Sequence, residues 1–436
     1  MSRRMKDSGI EWIGEIPEDW EIVKVKDAFN RKNNKANTEN PVILSLARSG
    51  IKIRDISNNE GQLASDYSNY NPVDIDDLLL NPMDLISGDN CNISRVKGVI
   101  SPAYINLRYK KGTNPELYNL YFKNLYWRNV FFAHGKGVSF ENRWTLSYET
   151  LSQMKIPYPT IGEQNMIAKF LINKLDSLES VKNTINQEIK TLEDYKKSII
   201  TEAVTKGLDK NVEMKDSGIE WVGEIPKKWK INKIGRICEV ITDFVASGSF
   251  ASLAKNVTYL DSEDYAMLVR TVDLSNKRDN VNRIYINKSS YEFLRNSNLK
   301  GGEIVLPNIG ASIGDVYLVP KLYERMSLAP NSIMIKTKYI DKYYYYCFSS
   351  KYGQILLKNL SISSAQPKFN KTELRNIKMM QPSIKEQALI VNYLDQKCQL
   401  IDDSISIKKQ QLETLEEYKK SLIYEYVTGK KEVKDV

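Results

Sequence analysis

His134 is the only histidine in the 436 residues, and it stands beside Gly135-Lys136-Gly137. Ser-His-Asp chemistry would need that one residue, and a site with two histidine ligands is impossible. It reads as a loop histidine. The four cysteines, Cys91, Cys238, Cys347 and Cys398, lie far apart and form no CxxC pair, which argues against zinc and against a disulfide framework and fits a reducing cytoplasm. No glycine-rich loop ends in Gly-Lys-Ser/Thr, so no phosphate cradle is present. Glu188-Ile-Lys190 has nuclease-like residue types but falls on a helical heptad pattern, where it is an ordinary surface pair. No nucleophile, general base or metal ligand can be assigned.

The residues that remain able to do chemistry recognise rather than react. Arg, Lys and Gln in loops can fork onto base edges in the major groove or hold phosphates. In the first half these are Arg31, Lys32, Lys35, Arg48, Arg54, Lys136 and Arg143; in the second they are Arg270, Lys277, Arg278, Arg283, Gln366 and Lys368. The formal net charge is +9. Residues 26–160 carry 17 basic and 13 acidic side chains, and 235–378 carry 20 and 13. The stretches 161–207 and 384–430 are balanced, at 7 and 7 and at 7 and 8. The excess positive charge therefore sits in two segments, as expected of a pair of polyanion-binding modules.

What must position these side chains is a duplicated frame. Residues 5–25, MKDSGIEWIGEIPEDWEIVKV, return at 214–234 as MKDSGIEWVGEIPKKWKINKI, with 15 of 21 positions identical. Residues 161–205 return at 384–428 without gaps, with 18 of 45 identical, best over LEDYKKSII and LEEYKKSLI. The two offsets, 209 and 223, differ by 14 residues, so the enclosed segments differ in length. The order is short motif, variable domain, helix, then the same again. Such a frame suits two equivalent partners docking on it while its contents read two different things.

Leu171, Leu178, Ile185, Leu192 and Ile199 recur every seven residues, with Leu175 and Ile189 on the second seam. The counterpart has Leu394, Ile401, Leu415 and Leu422, with Cys398, Ile405 and Leu412; Lys408 interrupts one seam as an exposed or register-setting point. The pattern predicts two coiled-coil helices packed antiparallel on each other. A helix of about 45 residues is roughly 65 Å long and can act as a spacer. Four residues added within 201–205 would lengthen it by about 6 Å and rotate the second half of the chain by about 40°. Residues 26–155 and 235–378 lack helical periodicity. Apolar runs broken by turn residues, such as Asp77-Leu-Leu-Leu-Asn-Pro82, Gly301-Gly-Glu-Ile-Val-Leu-Pro-Asn308 and Asn331-Ser-Ile-Met-Ile335, predict strand-rich α+β domains. Tyr343 to Tyr346 reads as the buried face of a helix rather than a base-stacking platform.

Ser8-Gly-Ile-Glu-Trp-Ile-Gly-Glu-Ile-Pro-Glu-Asp-Trp20 and its copy at Ser217–Trp229, with the endings Pro159-Thr-Ile-Gly-Glu-Gln164 and Pro382-Ser-Ile-Lys-Glu-Gln387, resemble the specificity subunit of type I restriction–modification enzymes. Gly98-Val-Ile-Ser-Pro-Ala-Tyr104 and Ser364-Ala-Gln-Pro-Lys-Phe369 are similar to recurring segments of that family. The resemblance covers essentially the whole chain. It implies an α+β protein with two target-recognition domains (1–160 and 208–383), each reading half of a split DNA sequence. A first spacer helix would occupy 161–207, and a second spacer helix and tail 384–436. It implies docking of two modification subunits and, through the complex, restriction subunits. S-adenosylmethionine, ATP and magnesium would belong to those partners and not to this chain. Tyr195 and Lys196, matched by Tyr418 and Lys419, are the expected partner anchors. Asn81-Pro-Met-Asp84 lacks the second proline and the aromatic residue of the amino-methyltransferase motif, which argues against catalysis by the chain itself. A partner that fuses nuclease and methyltransferase is equally compatible with the sequence. A coiled-coil scaffold without DNA binding is disfavoured by the placement of charge. No run of about 18 apolar residues exists, and a cytoplasmic location is expected.

Overall fold

The computed structural model describes residues 3–37, 41–47, 50–55, 67–86, 90–137, 144–275, 282–360 and 367–433. The chain divides into two compact units, Met1–Asn186 with Lys409–Val436, and Gln187–Lys408. The first long helix spans Ile161–Lys206 and the second Ile384–Val427. The unit boundary thus falls at 186/187 in one helix and 408/409 in the other, so each unit owns a stretch of both.

Within the first unit, the Phe170 ring packs tilted against Tyr426 at 4.7 Å and Lys182 Nζ meets Glu416 Oε1 at 2.7 Å. The two stretches therefore run antiparallel. Leu171, Leu175 and Leu178 share a core with Leu422 and Ile423. Within the second unit, Lys408 pairs with Glu188 and Lys196 with Asp402, both at 2.6 Å, over a cluster of Ile199, Ile401 and Ile405. This order is antiparallel again. Lys408, the break in the heptad seam, is thus ion-paired with the half-exposed Glu188 across the two helices.

Each unit builds the same four-stranded antiparallel sheet. In the first the order is Phe29–Arg31, Ile105–Tyr109, Leu78–Leu80, Cys91–Ile93; in the second it is Cys238–Asp243, Ser332–Thr337, Ile304–Pro307, Tyr317–Leu318. In each sheet a helix follows the strand in second place. Pro115–Trp127 starts on Asn114, whose side chain accepts the Leu117 N–H at 3.0 Å, and buries Leu117, Tyr118, Tyr121, Phe122 and Leu125. Asp341–Ser349 buries Tyr343, Tyr344 and Tyr346, so the tyrosine run is core. The units differ beyond this sheet. The first adds the hairpin Leu44–Ala47/Gly50–Ile53 and the pair Asn71–Val73/Gly98–Ile100. The second adds a five-stranded sheet containing one parallel pair, Ala266–Val269 with Met326–Leu328.

The repeated motifs join strands to helices. Gln164 is fully buried; its amide donates to the carbonyls of Gly112 (3.1 Å) and Pro159 (2.8 Å) and its oxygen accepts the Asn114 N–H (2.8 Å). Gln387, also fully buried, donates to Pro382 O at 3.0 Å and accepts from Ile340 N at 3.3 Å. Buried amides need all of these partners, which explains why the Glu-Gln ending occurs twice. The opening motifs close each unit around a buried tryptophan, Trp20 or Trp229, each 1 % exposed. The glycine after each long helix caps it left-handed against that tryptophan. Gly207 (φ +76°) lies on Trp229, and Gly429 (φ +70°) lies so close to Pro17 that a Cβ would collide at 2.3 Å. The paired glutamates bond differently in the two copies. Glu386 accepts from Trp229 Nε1 at 2.8 Å, whereas its counterpart Glu163 binds Arg3 at 2.5 Å.

The end of the first long helix is not a free spacer. Ile200, Ala203 and Val204 lie in the second unit's core, and Lys351 N donates to Thr201 Oγ1 at 2.9 Å. An insertion within 201–205 would break that core.

Candidate nucleic-acid interface

In the second unit the strands Cys238–Asp243, Ile304–Pro307 and Ala266–Val269 all end where Ser332 and Leu328 lie beside them. Their loops are therefore gathered at one end of the domain. Asn308 Nδ2 donates to Phe369 O at 3.0 Å, Phe369 N to Asn308 O at 3.1 Å, and Gly310 N to Pro367 O at 2.9 Å. This places exposed Lys368 on a bridge to Ile309. Lys371 Nζ binds Asp243 Oδ1 at 2.7 Å and ties the same segment to the first strand. Arg270 follows Val269. Its guanidinium donates to Asp273 at 2.9 and 3.0 Å and to Asn282 O at 2.6 Å, and the hydrogen bond to Asp273 raises its pKa. Arg270 is thus bonded to Asn282, the neighbour of exposed Arg283.

The first unit repeats the scheme. Beyond Leu80, Asn81 O accepts from the Tyr126 hydroxyl at 2.7 Å and Pro82 O from Leu146 N at 2.9 Å. Lys136 and Thr145 exchange backbone hydrogen bonds of 2.8 and 3.0 Å beside this loop, leaving Lys136 exposed. Lys35 is exposed on the segment leaving Arg31. Other candidates are engaged in the fold. Arg31 lies 4.7 Å over the Tyr148 ring. Lys32 Nζ sits 2.9 Å from both Asp74 and Asp77. The bond from Lys32 holds the Asp74 carboxyl below its ordinary range. Arg54 is half-buried, its N–H donating to Ile43 O at 2.8 Å. Arg48, Arg143, Lys277, Arg278 and Gln366 lie outside the described residues.

The expected partner anchors are on the frame. Tyr195 and Tyr418 are 54 % and 52 % exposed. Lys196 is engaged with both oxygens of Asp402, and Lys419 lies 3.8 Å from Glu416. The tyrosines therefore remain available as contacts, while Lys196 also has a structural bond. Among the described residues no group of three or more His, Cys, Asp or Glu side chains could hold a metal ion, and no helix is long and apolar enough to cross a membrane.

Residues 226–417 match the family model described as the type I restriction modification DNA specificity domain. The MjaVIII specificity subunit of Methanocaldococcus jannaschii is 26 % identical over 97 % of this chain and 95 % of its own length. The putative MjaX specificity subunit of the same organism is 28 % identical over 97 % and 96 %. Nearly end to end, the chain is thus similar to specificity subunits of type I restriction enzymes. A solved chain from a study of complex assembly and conformational transition of the type I R-M system has the same fold, with a TM-score of 0.69 at 14 % identity, covering 95 % of this chain and 99 % of that one. The two sets of gathered loops lie in the segments outside the internal repeats, and the matched helices and opening motifs are the shared frame.

Proposed function

We propose that this chain is the non-catalytic, sequence-reading subunit of a type I restriction–modification complex. Each unit reads one half of a bipartite DNA target through its strand-end loops. The long helices set the spacing of the two readings and dock two modification subunits, with restriction subunits joining through the complex. The observation that carries this reading is the end-to-end kinship with specificity subunits. The geometry supports it: each unit presents exposed cations, Lys35 and Lys136 in one and Arg283 and Lys368 in the other, on loops held by backbone hydrogen bonds. Exposed cations on loops fixed in this way can orient on phosphates and reach base edges. Methyl transfer is left to the partners, which carry S-adenosylmethionine. The test is to map methylated positions in host DNA with and without this chain. Loss of a split, two-part methylated site on deletion is expected. Methyl transfer by the purified chain alone, or an unchanged methylation map, would overturn the proposal.

A further inference from the structure

Phe250 is 80 % exposed, more than any other large apolar side chain among the described residues. Its place is fixed all the same. It opens the short helix Phe250–Asn256, whose N-cap Ser249 accepts the Ser252 N–H at 3.3 Å and whose Leu253 is buried. The segment before it leaves the strand end at Asp243, which Lys371 holds at 2.7 Å, and Asn296 Nδ2 donates to Ala246 O at 3.3 Å. The ring thus protrudes from an anchored base at the end of the domain that carries Arg283 and Lys368. The segment 235–378 has 20 basic side chains against 13 acidic. The first unit shows the same combination, with Met83 and Ile86 51 % and 66 % exposed on the loop beside Lys136.

We propose that Phe250 is a wedge whose ring enters between two base pairs of the half-site read by the second unit. The proposal rests on the DNA-reading function above. An exposed apolar ring at a domain end that also carries Arg283 and Lys368, in a segment with excess positive charge, fits a polyanion whose interior is a stack of flat, apolar faces. Proteins that insert such side chains unstack a base step and gain contact area from the deformed duplex. The sequence dependence of unstacking then adds discrimination at a step that no hydrogen bond reads. A protein partner would fit less well, because the basic segment that carries the ring would face a surface of mixed charge.

The experiment uses the full chain and a duplex carrying the mapped target, with 2-aminopurine placed in turn at each position of both half-sites. The wild-type chain should raise the fluorescence at one step of one half-site. Phe250→Ala should abolish that rise and weaken binding roughly five- to a hundredfold, the range for losing one base–aromatic stack. Binding to a scrambled duplex should be unchanged. Phe250→Leu, which keeps an apolar wedge, should retain part of both signals. Equal affinity and fluorescence for Phe250→Ala and wild type would overturn the wedge, as would loss of subunit assembly with DNA binding intact. If the wild-type chain failed to prefer the mapped duplex over the scrambled one, the DNA-reading function would itself fall, and the wedge with it.

Discussion

Replacing Asp77 by alanine removes a fully buried carboxylate that Lys32 Nζ approaches at 2.9 Å and Arg108 Nε at 2.6 Å, and that accepts the Asp74 N–H at 2.7 Å. Two cations, 18 % and 28 % exposed, would be left with the half-exposed Asp74 at 2.9 and 3.4 Å. Breaking a buried pair by deleting one partner costs about 3–5 kcal/mol. Because Asp74 stays as a second carboxylate, the lower end applies, about 3 kcal/mol. At about 2–4 °C per kcal/mol for a unit of this size, the first unit should unfold roughly 6–12 °C lower. Lys32→Met leaves Asp77 its Arg108 partner and should cost about 2 kcal/mol, in the lower half of the range for a charged hydrogen bond. The double variant should cost less than the sum, since each single change strands a charge that the other removes. Thermal unfolding of the three variants measures this. Salt-dependent DNA binding separates the structural role of Lys32 from the contact expected of it in the sequence. A lost phosphate contact would lower the slope of log affinity against log salt by about 0.9, whereas a residue committed to Asp77 leaves the slope unchanged. A Lys32→Met protein with parental unfolding and a reduced slope would refute the reasoning.

Three further outcomes are expected. Seven residues added to both long helices, at 186/187 and 408/409, keep the heptad seam and lengthen each by about 10 Å. The gap between methylated half-sites should then grow by about three base pairs; an unchanged gap would show that the helices do not set it. Tyr195→Ala with Tyr418→Ala should weaken assembly with the modification subunits without lowering the melting temperature, as measured by sedimentation and calorimetry; full partner stoichiometry would count against docking there. Asp19, Asp74 and Glu416 have pKa values lowered by hydrogen bonds from Arg3, Lys32 and Lys182 respectively. Carboxylates depressed in the folded state contribute stability above their unfolded pKa and lose it as pH falls through the folded value. The melting temperature should therefore begin to fall near pH 4 and continue downward; a flat profile from pH 5 to pH 3 would contradict the ion pairs.

The frame was legible in the chain because its signals are local or periodic. The heptads of Leu171–Ile199 and Leu394–Leu422 encode a seam that a partner helix must cover, and the duplicate motifs mark the two joints. Strands such as Leu78–Leu80 and Ser332–Thr337 were legible from apolar runs between turn residues. The assignment of individual cations was not. Lys32, Arg270 and Lys196 look like any exposed cation in sequence, yet Lys32 reaches Asp74 and Asp77 and Lys196 reaches Asp402, 206 residues away. Nor could the sequence reveal that residues 200–204 lie in a core rather than in a spacer, because the helix runs on past the last heptad position, Ile199, to Lys206 without a break. Gathering Asp243, Asn308 and Phe369 at one domain end required the strand order, and with it came the exposure of Phe250. A repeat period is written in neighbouring residues. Which charge meets which, and which apolar side chain stays uncovered, depends on contacts between segments far apart in the chain, and these exist only once the sheets have formed.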